Sequence, residues 1–151
     1  MTLKIAILEI QQTSSKAPNR GAGGGYNFLT GLKVELNKRG LLAPLHDADC
    51  VIINSHHLTV FQMALLGILL LLRPKIQIVH RIDGPVCLVR GDRDKYKYVD
   101  SFIKTLSVAI ADSLIFQTKW SKERVLDLWN IRLEKPHRII LNGAKDFSFN
   151  R

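Results

Sequence analysis

The segment Ile76–Pro85, IQIVHRIDGP, predicts both the fold of this chain and the edge of the fold where its chemistry lies. It opens with the apolar run of a buried β-strand and ends in the polar residues His80, Arg81 and Asp83, followed by a Gly-Pro turn. In an open parallel sheet, ligands bind beyond the carboxyl ends of the strands, so this cluster is placed for binding or catalysis. The alternative is a solvated turn that holds a local Arg–Asp ion pair.

Composition limits the class of protein. The chain has 151 residues, of which 46% are hydrophobic and 23% are charged, which indicates one globular domain rather than a disordered chain. Lysine and arginine number 22 against 13 acidic residues, and the net charge of +9 favours anionic partners. Cys50 and Cys87 have no metal-ligand spacing, so we expect free, buried thiols in a reducing, cytoplasmic setting.

No segment reads as a secretory signal or a membrane span. The apolar N-terminus is interrupted by Glu9, and no small-residue cleavage site follows. The most apolar stretch, Val60–Leu72, is shorter than the roughly 20 residues that a spanning helix needs, and Arg73 ends it. We therefore expect a helix buried against the sheet, with shallow, peripheral membrane contact as the alternative.

Strands and helices alternate along the chain, which predicts βαβ units and a parallel sheet of about five strands with helices on both faces. A helix through Phe28, Leu29, Leu32 and Leu36 is capped by Gly40. The predicted strands are Leu3–Leu8, Cys50–Asn54, Ile76–Val79, Leu114–Phe116 and His137–Leu141, and the later predicted helices are Thr59–Leu72, Tyr98–Ala111 and Lys119–Asn130.

Glycines at positions 21, 23, 24 and 25 open the first predicted helix. Backbone N–H groups at a helix N-terminus bind phosphate, and glycine lets a ligand approach them closely. The cluster is not a dinucleotide-binding fingerprint, because Tyr26 stands where the third glycine belongs, and no Gly-Lys-Ser/Thr follows to make a Walker A loop. It predicts a generic phosphate contact.

Two further polar groups follow predicted strands. His56 and His57 are adjacent and point to opposite sides of an extended backbone, so we expect no metal there and one histidine at the ligand cleft. Thr118 is a predicted N-cap, and Trp120 and Lys122 beside it form either a basic, aromatic surface or a solvated helix start. The mixed run from 89 to 97 is a solvated loop, and no nucleic-acid motif accompanies the charge.

Together these segments resemble a known family. VIINSHH (51–57), VHRIDGP (79–85), ADSLIFQTKWSKERV (111–125) and IILNGAKDF (139–147) follow one another behind a glycine loop, as in the N-terminal domain of a family 4 glycosyltransferase. These are retaining enzymes with two Rossmann-like domains, the GT-B fold. The resemblance covers nearly the whole chain, and the combination of segments is more specific than any one of them.

The resemblance implies sugar transfer from a nucleotide-sugar donor to a hydroxyl acceptor, such as a glycan, without a metal or other cofactor. It implies that Gly23, Gly24 and Gly25 lie against the donor diphosphate. It further implies that His80 faces the donor sugar and Asp83 the acceptor, which makes them the catalytic candidates. The other residues expected at the cleft are His56, Arg81, Thr118 and Lys122, and the interdomain hinge is expected to begin at Asn142 and Gly143.

Two departures from the family shape the expectation. The chain carries residues 1–141 of an acceptor-side domain and the start of a hinge at 142–151, but not the donor domain with its E-x7-E motif, so we expect little turnover without a separate donor domain or subunit. Between Gly40 and Cys50 there is no room for the strand that usually follows the first helix in the family, so we expect a smaller sheet than the family has. The alternative is a non-catalytic partner subunit, or a module that binds a glycan or an anionic surface.

Overall fold

The computed structural model describes residues 2–8, 24–54 and 60–141, and it confirms an α/β fold with a Rossmann-like sheet. Five parallel strands lie in the order β1-β2-β3-β4-β5. The strands are β1 Ile5–Leu8, β2 Cys50–Asn54, β3 Gln77–Ile82, β4 Ser113–Phe116 and β5 His137–Ile139. The helices are α1 Gly24–Lys38, α2 Val60–Leu72, α3 Val86–Arg90, α4 Arg93–Thr105 and α5 Lys119–Trp129, and a π-helical turn, Leu106–Ile110, continues α4.

Helices lie on both faces of the sheet, as predicted. Neighbouring residues of a strand point to opposite faces. On β3, His80 contacts Ser107 in the π-helical turn that continues α4, whereas Arg81 lies over the ring of Phe28 on α1. The α4 face holds the main core, which joins strand residues to α2, α4 and α5 through Val51, Ile53, Ile78, Phe116, Leu66, Ile103 and Val125.

Between Gly40 and Cys50 the chain contributes one bridge residue beside β1 and no strand. Leu42 forms a single parallel bridge with Ile5, whose N–H donates to Leu41 O at 2.8 Å and whose carbonyl accepts from Ala43 N at 2.9 Å. Cys50 N donates instead to Lys4 O, which points to the other side of β1. The chain thus passes first along one side of β1, at Leu42, and then along the other side, at β2. In parallel sheets, a ligand crevice opens where the chain changes side in this way.

The prediction for residues 89–97 was wrong, because most of this charged run is helical rather than a loop. Gly91, at φ +72°, ends α3, and the carboxylate of Asp92 accepts from Lys95 N at 2.9 Å to cap a new helix at Arg93. The cap starts α4 five residues before the predicted position, Tyr98. Strands β1 and β5 are also shorter than predicted, by two residues each.

Helix α2 is only half buried, which corrects the expectation of a helix enclosed against the sheet. Leu66 and Leu69 face the core, but Phe61 is 71% and Leu71 is 84% exposed. A helix can place one stripe against a sheet, and α2 is apolar around its whole circumference. Within the described ranges, no helix is long and apolar enough to cross a bilayer.

Candidate functional site

The ends of β2 and β3 build the core of the site. Asn54 and Arg81 pair in register, so their side chains leave the same face at the carboxyl edge of the sheet. Nη1 of Arg81 donates to Asn54 Oδ1 at 2.9 Å and to the carboxylate of Asp83. The Arg81 side chain is completely buried, whereas that of Asp83 is 20% exposed. The ion pair therefore differs from the solvated turn of the alternative prediction: a buried cation holds a carboxylate at the edge.

Phe28 closes the other side of this cation. The guanidinium carbon of Arg81 lies 4.3 Å from the centre of the Phe28 ring, which is a cation–π contact. Burial lowers the pKa of Arg81 and the neighbouring Asp83 raises it, yet a guanidinium titrates so high that it stays charged at neutral pH. The site thus contains a fixed positive charge beneath the carboxylate.

The same contact brings the glycine-rich helix start to the site. Helix α1 begins at Gly24, and Gly24 and Gly25 precede Phe28 by about one turn, or about 6 Å of helix rise. The first N–H groups of a helix have no intrahelical acceptor. The predicted helix opening is confirmed for Gly24 and Gly25, while their contact with a diphosphate stays a prediction; Gly23 lies outside the described residues.

His80 points away from this cluster. Its ring is fully buried, and Nδ1 lies 3.0 Å from Ser107 Oγ. The single hydroxyl hydrogen of Ser107 goes to Ile103 O at 2.8 Å, so we infer that His80 Nδ1 carries the proton and donates to Ser107. The contact of His80 with a donor sugar stays a prediction, and the fold gives its ring no exposed surface.

Helix α5 begins at the end of β4, as its sequence predicts. Thr118 Oγ1 accepts from Ser121 N at 2.9 Å, and Ser121 Oγ accepts from Thr118 N at 3.1 Å, which completes a capping box. The hydroxyl oxygen of Thr118 therefore accepts one hydrogen bond in the cap. Lys122 lies half-buried in the first turn of the helix. A ligand contact for either residue stays a prediction.

Gly84 joins the Asp83 loop to this helix start. Its φ is +142°, a conformation that side chains other than hydrogen rarely tolerate. A Cβ at this position would lie 3.2 Å from the Trp120 ring and 3.6 Å from Ser121 Cβ. The loop therefore packs directly on the first turn of α5, which places Asp83 beside that helix N-terminus.

Asp100 fixes the other side of the loop. The sequence analysis did not predict this role. This buried carboxylate accepts from Val86 N at 2.7 Å and Cys87 N at 2.9 Å, the first two residues of α3. Those residues follow the loop of Asp83 and Gly84 directly. The available signal was an acidic residue within the apolar stripe of the predicted helix. Asn54 was also missed, although it ends a predicted strand.

Cys87 beside this carboxylate yields a pH prediction. Burial, followed by the hydrogen bond to Asp100, raises the pKa of the Cys87 thiol to about 11. Burial also raises the pKa of Cys50, but that side chain is only half-buried, whereas Cys87 is 4% exposed, so at pH 7.5 we expect iodoacetamide to modify Cys87 more slowly than Cys50. Peptide mass spectrometry over time measures both rates, and equal rates would contradict the burial of Cys87.

The raised pKa of Cys87 also predicts how the free energy of unfolding changes with pH. Its folded pKa lies above the unfolded value of about 8.5, so the folded state holds the proton more tightly. The stability that Cys87 contributes is complete below pH 8.5 and is lost as the pH rises towards about 11. Urea unfolding across this range measures the loss, and Cys87→Ala should reduce its slope.

The remaining predicted positions, His56, Asn142 and Gly143, lie outside the described residues. Within the ranges that the structure describes, no three His, Cys, Asp or Glu side chains are grouped to hold a metal ion. Comparison with known proteins adds no identity: no protein-family model, no curated protein and no solved structure matches this chain.

Proposed function

We propose that this chain is the acceptor-side domain of a retaining glycosyltransferase that uses a nucleotide-sugar donor. The observation that carries the proposal is the partly exposed Asp83 carboxylate, held by buried Arg81 at the carboxyl edge of a parallel sheet. An ionised carboxylate is an acceptor only, so it suits ligands rich in hydroxyl hydrogens. Asp83 would bind and orient the acceptor hydroxyl.

Donor binding would use positive groups at the same edge. Departure of a nucleoside diphosphate requires stabilisation of negative charge. The N-terminus of α1 at Gly24 and Gly25 and the ammonium of Lys122 near the N-terminus of α5 are suited to supply part of it. The rest would come from a donor domain, in the same polypeptide or a separate subunit.

Asp83 is the first catalytic candidate to test. Its carboxylate reaches solvent without rearrangement, whereas His80 would have to leave Ser107 to touch a sugar. Asp83→Asn keeps the shape of the side chain and an oxygen for Arg81 but removes the negative charge. Asp127→Asn is the matched control, because Asp127 is an exposed carboxylate near the far end of α5.

The test measures nucleoside diphosphate release from UDP- and GDP-sugars in the presence of hydroxyl acceptors. It uses the 151-residue chain alone and together with a donor domain. We expect turnover only when a donor domain is present, and a loss of about 100-fold in Asp83→Asn, with Asp127→Asn unchanged. Full activity of Asp83→Asn would refute the role of Asp83, and transfer by the 151-residue chain alone would refute the need for a donor domain.

Helix α2 favours a second candidate, a module that binds an anionic membrane surface. Phe61, Leu71 and Leu72 are exposed, and the basic residues Arg73 and Lys75 follow them. We expect Leu71→Ser to reduce sedimentation with vesicles containing phosphatidylglycerol, and Val89→Ser, at an exposed apolar residue elsewhere, to leave it unchanged. No sedimentation of the parent chain with such vesicles would refute this candidate, and the face would then be assigned to a partner subunit.

A further inference from the structure

A concavity lies between α4 and the C-terminal half of α5, apart from the edge where Asp83 lies. Its volume is about 370 Å³, within the range of small-molecule pockets. We call it the α4–α5 groove. Its lining includes Arg93, Lys97, Ser101 and Lys104 of α4 together with Leu128 and Trp129 of α5.

The α4 wall of the groove is positively charged. Arg93, Lys97 and Lys104 are four and seven residues apart, which places them on one face of the helix. In the described part of the chain, neither Arg93 nor Lys97 forms an ion pair with a carboxylate; the ammonium of Lys97 lies 5.4 Å from the Tyr98 ring centre. Lys104 Nζ donates to Trp129 O at 3.0 Å and ties the two helices together.

Two carboxylates also line the groove, and they differ in burial and in hydrogen bonding. Asp100 is buried, and its two oxygens accept the N–H groups of Val86 and Cys87. Asp94 is exposed in the first turn of α4, where a negative charge is favourable to the helix. Asp100 keeps its negative charge although backbone donors hold it, so three cations face two carboxylates and the groove has a net positive charge.

Trp129 supplies an independent observation. It is only 6% exposed, and within the described ranges its buried indole N–H has no hydrogen-bond acceptor. Such a donor is uncommon in a folded protein, because leaving it unbonded is unfavourable. Trp129 also lines the groove, so its indole lies close enough to respond to a ligand that binds there. Leu128 and the indole ring add an apolar surface beside it.

We propose that the α4–α5 groove binds a small organic anion. Arg93 and Lys97 hold its phosphate or carboxylate group, and an apolar body lies against Leu128 and Trp129. Both oxyanions accept charge-assisted hydrogen bonds from arginine and lysine, so the recognising chemistry is shared between them. The proposal does not depend on the function assigned to the sheet edge.

The test follows the two tryptophan indole N–H resonances in ¹H–¹⁵N NMR spectra of the full chain, assigned with Trp120→Phe. Phenyl phosphate and benzoate are the two anionic probes, and benzyl alcohol is the neutral one. We expect saturable shifts of the Trp129 resonance with at least one anion, and binding at least tenfold weaker for the alcohol. The anion that binds more tightly identifies the oxyanion class.

Matched variants separate a built site from general attraction to a basic protein. Arg93→Gln/Lys97→Gln removes two groove cations, and Arg90→Gln/Lys95→Gln removes two exposed cations outside the groove. We expect the first pair to weaken anion binding at least tenfold and the second to change it less than twofold. Equal weakening by both pairs, or no shift of Trp129 with either anion, would overturn the proposal. All four residues are exposed, so both variants are expected to fold.

Discussion

Asp83→Ala is expected to lower the free energy of unfolding by about 3 kcal/mol. Breaking a buried ion pair from one side costs more than the pair contributes as a unit, because the remaining charge loses its partner in a site that water cannot fully reach. Arg81 is the fully buried member and Asp83 is 20% exposed. That exposure keeps the expected loss at the lower end of the range for buried pairs.

An exposed ion pair on the same chain provides the control. Lys119 and Glu123 lie 3.8 Å apart on α5, and the Glu123 side chain is 57% exposed. Pairs of this kind contribute about 0–1 kcal/mol. We therefore expect Glu123→Ala to change the free energy of unfolding by less than about 1 kcal/mol. Urea unfolding measures both variants. If Asp83→Ala were as mild as Glu123→Ala, Asp83 would not stabilise the site.

A double-mutant cycle assigns the loss to the pair itself. Arg81→Met fills much of the same volume but leaves Asn54 Oδ1 without its donor and removes the cation over Phe28. We expect Arg81→Met/Asp83→Ala to be less destabilised than the sum of the single variants, with a coupling energy of about 1–3 kcal/mol. Simple additivity would mean that the two side chains act independently.

Local sequence signals located all five strands and helix α5, although β1 and β5 are shorter than predicted and β3 continues past the predicted end at Val79 to Ile82. The run before His80 predicts β3, and Thr118 predicts the start of α5, because strand burial and an N-cap depend on neighbouring residues. The start of α4 was misplaced for a related reason. Asp92 lies within a run of alternating charges, which conceals its role as a cap.

The site could be predicted only in part. The rule for parallel sheets located Arg81 and Asp83 at the carboxyl edge, and the structure joins them. Asn54 and Phe28 join the cluster through strand register and helix placement, which no local pattern encodes. Alternation along β3 requires His80 and Arg81 to face opposite sides, but only the position of α4 determines that His80 meets Ser107.

Asp100 also makes contacts with residues far from it in the sequence, and a substitution can test them. Its oxygens accept N–H groups that lie 13 and 14 residues earlier, at the start of α3. Asp100→Asn leaves one oxygen and places an NH₂ group against the other backbone donor, so we expect a loss of about 2–3 kcal/mol. For a domain of this size the melting temperature should fall by about 5–10 °C.

Hydrogen exchange distinguishes a local anchor from a general effect on stability. In Asp100→Asn the amides of Val86 and Cys87 should exchange faster than the global destabilisation alone predicts, because their acceptors are altered. Asp94→Asn, an exposed aspartate on the same helix, should leave both the melting temperature and these amides nearly unchanged. Unchanged protection of both amides in Asp100→Asn would mean that the loop before α3 is held by packing on Trp120 rather than by this carboxylate.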